Sequence, residues 1–178
     1  MTRTLRWLSF LSVPLLIVVF APLPYSETAA DATLCDRNPK PANLNFVLKD
    51  HNGRDFNLAA QKGKVVLLDF WATWCPPCKV EIPWFMEFQS KYGPKGLSVI
   101  GISADDSVAK LKPFVDQYKM NYPVLIGDGR DDIKGPKVYA VGWGLPKTFV
   151  IGRDGNICKT HLGLSSKEVF EQEIKSLL

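Results

Sequence analysis

Cysteine is scarce in this chain, four in 178 residues, so no dense disulfide framework holds the fold. Histidine (two) and methionine (three) are scarcer still, which leaves few metal ligands beyond the cysteines themselves. The net charge is +4, and there is no block of like charges and no basic run interleaved with aromatics. Nucleic acid is therefore not an expected partner. There is one long apolar stretch rather than several, which excludes a polytopic membrane protein. Glycine and proline, 13 of each, stay below the low-complexity range, and 46% apolar residues is too many for a disordered chain. No repeat and no Ser/Gly-rich linker divides the sequence. What is left is a short leader and one domain of about 145 residues, residues 33–178, large enough to bury a core.

The leader, residues 1–32, differs in character from the rest. Arg3 and Arg6 precede an apolar run from Trp7 to Phe20, followed by Pro22, Pro24 and small residues up to Ala30 and Ala32. This is the three-part pattern of a secretory signal with a cleavage site at Ala30 or Ala32. An uncleaved membrane anchor through residues 7–23 is the rival; that stretch contains Pro14 and is short against the ~20 residues a spanning helix needs. Either reading exports the domain to an oxidising compartment, soluble or anchored. Losing Arg3, Arg6 and Glu27 leaves a charge of about +3 from the +4 of the whole chain, too mild to imply a strongly acidic partner.

Periodicity gives alternating elements. Leu44–Leu48 and Asp55–Leu58 flank Asn52-Gly53, a hairpin signal because that pair tolerates positive φ. Val65–Trp71 is apolar except for Asp69, as in a central strand buried on both faces. A helix from about Pro76 to Tyr92, a strand at Leu97–Ser103, a helix over Ser107–Met120, a short strand at Val124–Ile126 and a weak helix over Ile133–Tyr139 follow. Thr148–Ile151 and Asn156–Leu162, joined by Arg153-Asp154-Gly155, read as a closing hairpin. Ser165 with Glu168 three residues on forms a capping box that opens a last helix to Leu178. The order argues for an α/β fold, a mixed central sheet with helices on both faces.

The chemistry is concentrated in Asp69-Phe70-Trp71-Ala72-Thr73-Trp74-Cys75-Pro76-Pro77-Cys78-Lys79. Two cysteines stand two residues apart where a buried strand gives way to a helix, a spacing that permits a disulfide across the first helical turn. Unpaired N–H groups and the helix dipole at that turn favour a thiolate at Cys75. Cys78, one turn in, suits the resolving thiol. Pro76 and Pro77 fit a first turn that needs no donated N–H. A zinc site would need four ligands, and no second cysteine pair occurs. A purely structural bridge would close almost no loop and stabilise little. A Cu(I)-carrying site would draw on Met or His ligands, which are sparse. Asp69, a carboxyl inside an apolar strand, should hold its proton to an unusually high pH.

Trp74-Cys75-Pro76-Pro77-Cys78, Pro83 five residues beyond, and Gly144-Leu145-Pro146-Lys147-Thr148-Phe149 before the closing hairpin resemble the TlpA/ResA-like exported thiol–disulfide oxidoreductases of the thioredoxin superfamily. The resemblance runs from about Leu44 to the C-terminus and implies a thioredoxin-like fold, with an N-terminal hairpin and Ser107–Ile126 as an extra helix–strand insertion. It also implies that Pro146 is a cis proline that exposes the Leu145 backbone beside the sulfurs. Trp74, Pro76, Leu145 and Lys147 are then the residues expected to meet substrate. Glu81, one helical turn beyond Cys78, matches a family glutamate that manages the buried cysteine's proton; a solvated helix glutamate is the plain alternative. Asp69 matches the proton acceptor of thioredoxins at a place where TlpA/ResA relatives often carry asparagine, so this chain holds both acids, and they should titrate together with the cysteines. Lys147, where the family more often has threonine, would put an ammonium near the disulfide unless it points to water.

For the other two cysteines the resemblance implies a structural Cys35–Cys158 disulfide, two separate buried thiols being the alternative. Lipidation of Cys35 is disfavoured by Thr33-Leu34 before it. His51 and His161 read as ordinary loop and strand histidines. Exported thiol or disulfide proteins, a membrane reductant of the DsbD type, a periplasmic location, a monomeric state and a role in cytochrome c or cytochrome oxidase copper-site maturation are the family expectations. No metal or bound cofactor is needed beyond the Cys75–Cys78 disulfide. The rival functions are a Cu(I) metallochaperone using the same cysteines and a peroxiredoxin-like enzyme, whose lone peroxidatic cysteine would follow a Thr-x-x pattern that Ala72-Thr73-Trp74-Cys75 does not match.

Overall fold

The protein is described by a computed structural model over residues 35–36, 38–104, 107–134, 138–142 and 144–178. The expected signal or anchor at residues 1–32 lies outside these. Among the described residues no helix is long and apolar enough to cross a membrane.

In chain order the elements are strands β1 (Lys40–Pro41), β2 (Val47–Lys49), β3 (Asp55–Asn57) and β4 (Val65–Trp71), helix α1 (Pro76–Tyr92), strand β5 (Leu97–Ser103), helix α2 (Val108–Tyr118), strand β6 (Val124–Ile126), helix α3 (Asp131–Lys134), strands β7 (Lys147–Ile151) and β8 (Asn156–Leu162), and helix α4 (Lys167–Leu177). A six-stranded mixed sheet has the order β1-β8-β7-β4-β5-β6; β2 and β3 form a separate hairpin. Strands β4, β5 and β6 run parallel, joined by crossovers through α1 and α2, whereas β7, β8 and β1 are antiparallel additions. All seven residues of β4 and of β5 are buried, which is why both read as nearly unbroken apolar runs.

Period-two alternation divides the sheet residues between two cores. Val65, Leu67 and Trp71 of β4 pack with Ile82, Phe85 and Phe88 of α1, Leu111 and Val115 of α2, and Phe170 and Ile174 of α4. Val66, Leu68 and Phe70 pack on the opposite face with Leu44, Leu48, Leu58, Ile133 and Tyr139. Three helices therefore cover one face. The other carries α3, the hairpin and a 3-10 turn at Leu58–Gln61. Asp69, by alternation, lies on the face beneath α1.

Several boundaries depart from the sequence reading. The hairpin strands are shorter than expected, because Leu58 opens the 3-10 turn, with the Asn57 side chain accepting the Ala59 N–H at 3.0 Å. The turn itself is as expected: Gly53 takes φ 79°, and Asp50 Oδ1 accepts the N–H groups of Asn52 and Arg54. Of the helix expected over Ile133–Tyr139, the described residues hold α3 as far as Lys134, residues 138 and 139 form a turn, and residues 135–137 lie outside the described residues. The last helix is capped by Ser166, whose hydroxyl accepts from Val169 N at 3.3 Å, so the box expected at Ser165 and Glu168 is displaced by one residue. The Ser165 N–H is bonded to Glu81 Oε1. The two-residue edge strand β1, with a proline tolerated at the edge, carried too little pattern to be foreseen.

Candidate active site

The N-terminus of α1 projects from the carboxyl end of β4, where a strand-to-helix turn presents its first N–H groups to whatever lies before it. Cys75 occupies the N-cap position with extended backbone (φ −88°, ψ 106°), and its sulfur accepts the Cys78 N–H at 3.3 Å. The helix dipole and this N–H favour negative charge on Cys75 once the bridge opens. Pro76 and Pro77 fill the first two helical positions, where no N–H bond is lost. Cys75 and Cys78 form a disulfide, S–S 1.98 Å and Cα–Cα 5.4 Å. Both residues are buried, whereas Trp74 beside them is 60% exposed. The helix runs on through Pro83.

The Leu145–Pro146 peptide is cis. Lys147, the next residue, pairs with Phe70 of β4, so Pro146 lies at the end of the sheet from which the cysteine turn departs. The Pro146 carbonyl accepts the Gly163 N–H at 2.8 Å, and Leu145 packs against both cores. Lys147 takes a course that the sequence reading did not expect. With Phe149 it lies on the sheet face opposite α1, its Nζ donates to the Ala140 carbonyl at 2.5 Å, and it sits 5.6 Å over the Phe149 ring. Partial burial lowers the proton affinity of this ammonium.

Beneath the cysteines lie two buried carboxyls. Asp69 accepts the Thr148 hydroxyl at 3.0 Å. Its proton affinity is raised well above the usual carboxylate range, by burial first and by the Glu81 charge second, with the Thr148 bond opposing. Glu81 is not a solvated helix residue; it is fully buried. Its Oε1 accepts the Ser165 N–H at 3.2 Å while Oε2 has no hydrogen-bond partner among the described residues. Burial pushes its pKa to about 7, against the pull of the Ser165 N–H and of His161. Desolvation raises the proton affinity of both acids, and Asp69 in addition feels the Glu81 charge.

Three further residues complete the cluster. Gly101 stands opposite Asp69 on β5, and a Cβ there would lie 2.8 Å from Trp71 Nε1 and 3.3 Å from the Tyr122 ring; its missing side chain lets both aromatics close over the strand. The Tyr122 hydroxyl and Trp71 Nε1 are buried without a partner among the described residues. Burial and the charges of Asp69 and Glu81 keep the Tyr122 phenol protonated far above its usual range. Thr148, Tyr122 and His161 were missed as site residues in the sequence, since none stands near the cysteines along the chain, and Trp71, four residues before Cys75, was read only as part of the buried strand. The one available signal was the alternation that puts Thr148 and Val150 on the same side of their strand.

At the far edge, Cys35 and Cys158 form the second disulfide. The Asp36 N–H bonds the Cys158 carbonyl at 3.0 Å and Asp36 pairs with Lys159 at 2.9 Å, which fastens the N-terminal segment to β8. Among the described residues no three His, Cys, Asp or Glu side chains converge as metal ligands.

A redox disulfide at a helix N-terminus, a cis proline at the same end of a β4-centred sheet and buried acids below define a thiol–disulfide oxidoreductase of thioredoxin fold. Comparison with known proteins narrows the class. Residues 40–160 match the model of the AhpC/TSA family. The chain is 39% identical over 133 residues, 75% of each chain, to thiol-disulfide oxidoreductase ResA of Bacillus thuringiensis (strain Al Hakam). It is 32% identical over 148 residues, 83% of this chain and 81% of the relative, to ResA of Halalkalibacterium halodurans. In structure it is similar to the thiol:disulfide interchange protein, a thioredoxin family protein, of Chlorobium tepidum TLS, with TM-score 0.71 and 29% identity over 80% of this chain and 98% of that one. It is also similar to the exposed lipoprotein thioredoxin Etrx1 of Streptococcus pneumoniae strain TIGR4, with TM-score 0.63 and 30% identity over 74% of this chain and 98% of the other. The chain belongs to the ResA-like thiol–disulfide oxidoreductases of the thioredoxin superfamily, and its activity is dithiol–disulfide exchange with protein thiols or disulfides.

Proposed function

We propose that the protein is an exported reductant that keeps partner thiols available, with cytochrome c or cytochrome oxidase copper-site assembly as its task, and that its own disulfide is its only redox group. The observation that carries this reading is the Cys75–Cys78 bridge at the α1 N-terminus above two buried acids. In the reduced protein the Cys75 thiolate attacks one sulfur of a partner disulfide, forming a mixed disulfide and releasing the other partner sulfur as thiolate. Cys78 gives its proton to the Glu81 carboxylate, attacks Cys75 and releases the second partner thiolate. Two electrons pass to the partner, and the Cys75–Cys78 bridge is restored. Asp69 is the second proton acceptor, coupled to Glu81 by charge. Trp74, Pro76, Leu145 and the Pro146 turn line the approach to Cys75 and offer backbone to an extended partner segment.

Export rests on the Arg-then-apolar pattern of residues 1–32, and the description of a structural relative as an exposed lipoprotein accords with it. Re-reduction falls to a membrane dithiol donor of the DsbD type, in a periplasmic setting. The decisive experiment is the reduction potential of the protein, titrated against glutathione buffers and followed by Trp74 fluorescence, together with trapping of the mixed disulfide by Cys78→Ser. A potential near or below the ~−270 mV of thioredoxin, with trapped partner thiol proteins, supports the reductant. A potential near the ~−120 mV of strong disulfide donors reverses the direction of electron flow. Peroxide consumption that survives loss of Cys78 favours the peroxidase alternative. Stoichiometric Cu(I) binding without exchange favours the metallochaperone.

A further inference from the structure

Strand register aligns Gly101, Asp69, Thr148 and His161 in one row across β5, β4, β7 and β8. Alternation turns this row toward the face covered by α1 and α4. Thr148 binds Asp69 within the row, Tyr122 closes over Gly101, and His161 ends the row at β8. The imidazole Nε2 of His161 lies 2.8 Å from Glu173 Oε2 on α4, and its ring stands edge-on to Phe170 with centroids 4.7 Å apart.

The charged groups around His161 are Glu173 from α4, Glu81 from α1 and, one threonine further along the row, Asp69 from β4. The His161 charge acts on Glu81 directly, in the direction that favours its carboxylate. Glu81, Asp69 and Tyr122 are buried, whereas the His161 and Glu173 side chains keep 17% and 15% of their surface exposed. Of the ionisable groups in this row and above it, His161 is therefore the one in touch with both solvent and the buried acid.

We propose that His161, held by Glu173, is a positioning residue for the exchange reaction: its charge acts on Glu81 and so couples the buried acid beside the cysteines to the acidity of the solvent. The inference rests on the exchange reading, in which the Glu81 carboxylate takes the Cys78 proton. While His161 is protonated it stabilises that carboxylate, so Glu81 becomes an acceptor at lower pH than burial alone would allow. Glu173 fixes the imidazole through the 2.8 Å contact with Nε2; it acts through His161 and not on the cysteines.

The test compares the pH profile of disulfide exchange on a small model disulfide for the full chain, His161→Gln, Glu173→Gln and the double variant, with thermal midpoints as the check on folding. His161→Gln moves the Glu81-dependent midpoint upward by roughly half a unit to one unit. Glu173→Gln moves it the same way by less, and the double variant moves it no further than His161→Gln, because the two act in series. His161→Arg, which keeps a cation at the position, holds the midpoint at or below the parent value. A parent-like profile in a folded His161→Gln overturns the proposal and leaves His161 as a packing partner of Phe170. Absence of exchange in the parent protein overturns the exchange reading instead.

Discussion

Replacing Glu81 by glutamine leaves its size and one acceptor oxygen in place and removes only the ionisation. The oxidised protein is the form to test, because its four cysteines are paired and do not titrate. In the folded protein Glu81 holds its proton up to about pH 7, against 4.5 for an ordinary glutamate. Between those values the unfolded chain has already released this proton while the folded chain retains it. The folded state then binds more protons, so stability falls as pH rises. The contribution is fully present below pH 4.5 and gone above about 7. At 1.36 kcal/mol per unit this difference amounts to up to about 3 kcal/mol. Urea unfolding of the oxidised parent and of Glu81→Gln, at pH 4.5 and at about pH 8, reads it, because the surface groups titrate in both proteins and the change at Asp69 on losing the Glu81 charge belongs to the same coupled pair. The parent should lose up to about 3 kcal/mol more than the variant between the two conditions. A difference between parent and variant that does not change with pH would refute a buried, proton-holding Glu81, and with it the basis for its role at Cys78.

Removing the second disulfide by Cys35→Ser with Cys158→Ser frees a loop of sequence separation 123, which the chain-entropy model values at about 4–5 kcal/mol. A marked fall in urea midpoint with exchange at Cys75 retained is expected, and an unchanged midpoint would sink the structural role. Lys147→Thr should leave the Cys75 thiol titration within about half a unit of the parent, since the ammonium is engaged by the Ala140 carbonyl at a partly exposed site where its charge is screened. Alkylation rate against pH measures it; a larger rise in the Cys75 value would restore an electrostatic role for Lys147.

How much of the site could be read beforehand depended on how local each signal was. The cysteine pair, its helix and the Pro146 turn stand in contiguous sequence, and Asp69 is a charge inside an apolar strand, so each carried its own context. Glu81 could be placed one turn beyond Cys78, but its burial could not, because α4 and the Ser165 N–H arrive from 84 residues away. Thr148 meets Asp69 across 79 residues. His161 looked like an ordinary strand residue because its meaning comes from the register of β8 on β7 and from α4 above. The displaced cap at Ser166 is a local ambiguity: two adjacent serines can each serve as the cap, and the hydroxyl that accepts the Val169 N–H is that of Ser166.

By itself the sequence determined the class of chemistry and the order of elements, because helix termini, buried strands and the two-residue spacing of cysteines follow from local periodicity and backbone geometry. Only the tertiary structure decided which acids share the space beneath the disulfide, which cation reaches them and which side of the sheet Lys147 takes. Those outcomes depend on strand register and helix docking, and a shift of one residue in strand register would turn the same side chains to the opposite face.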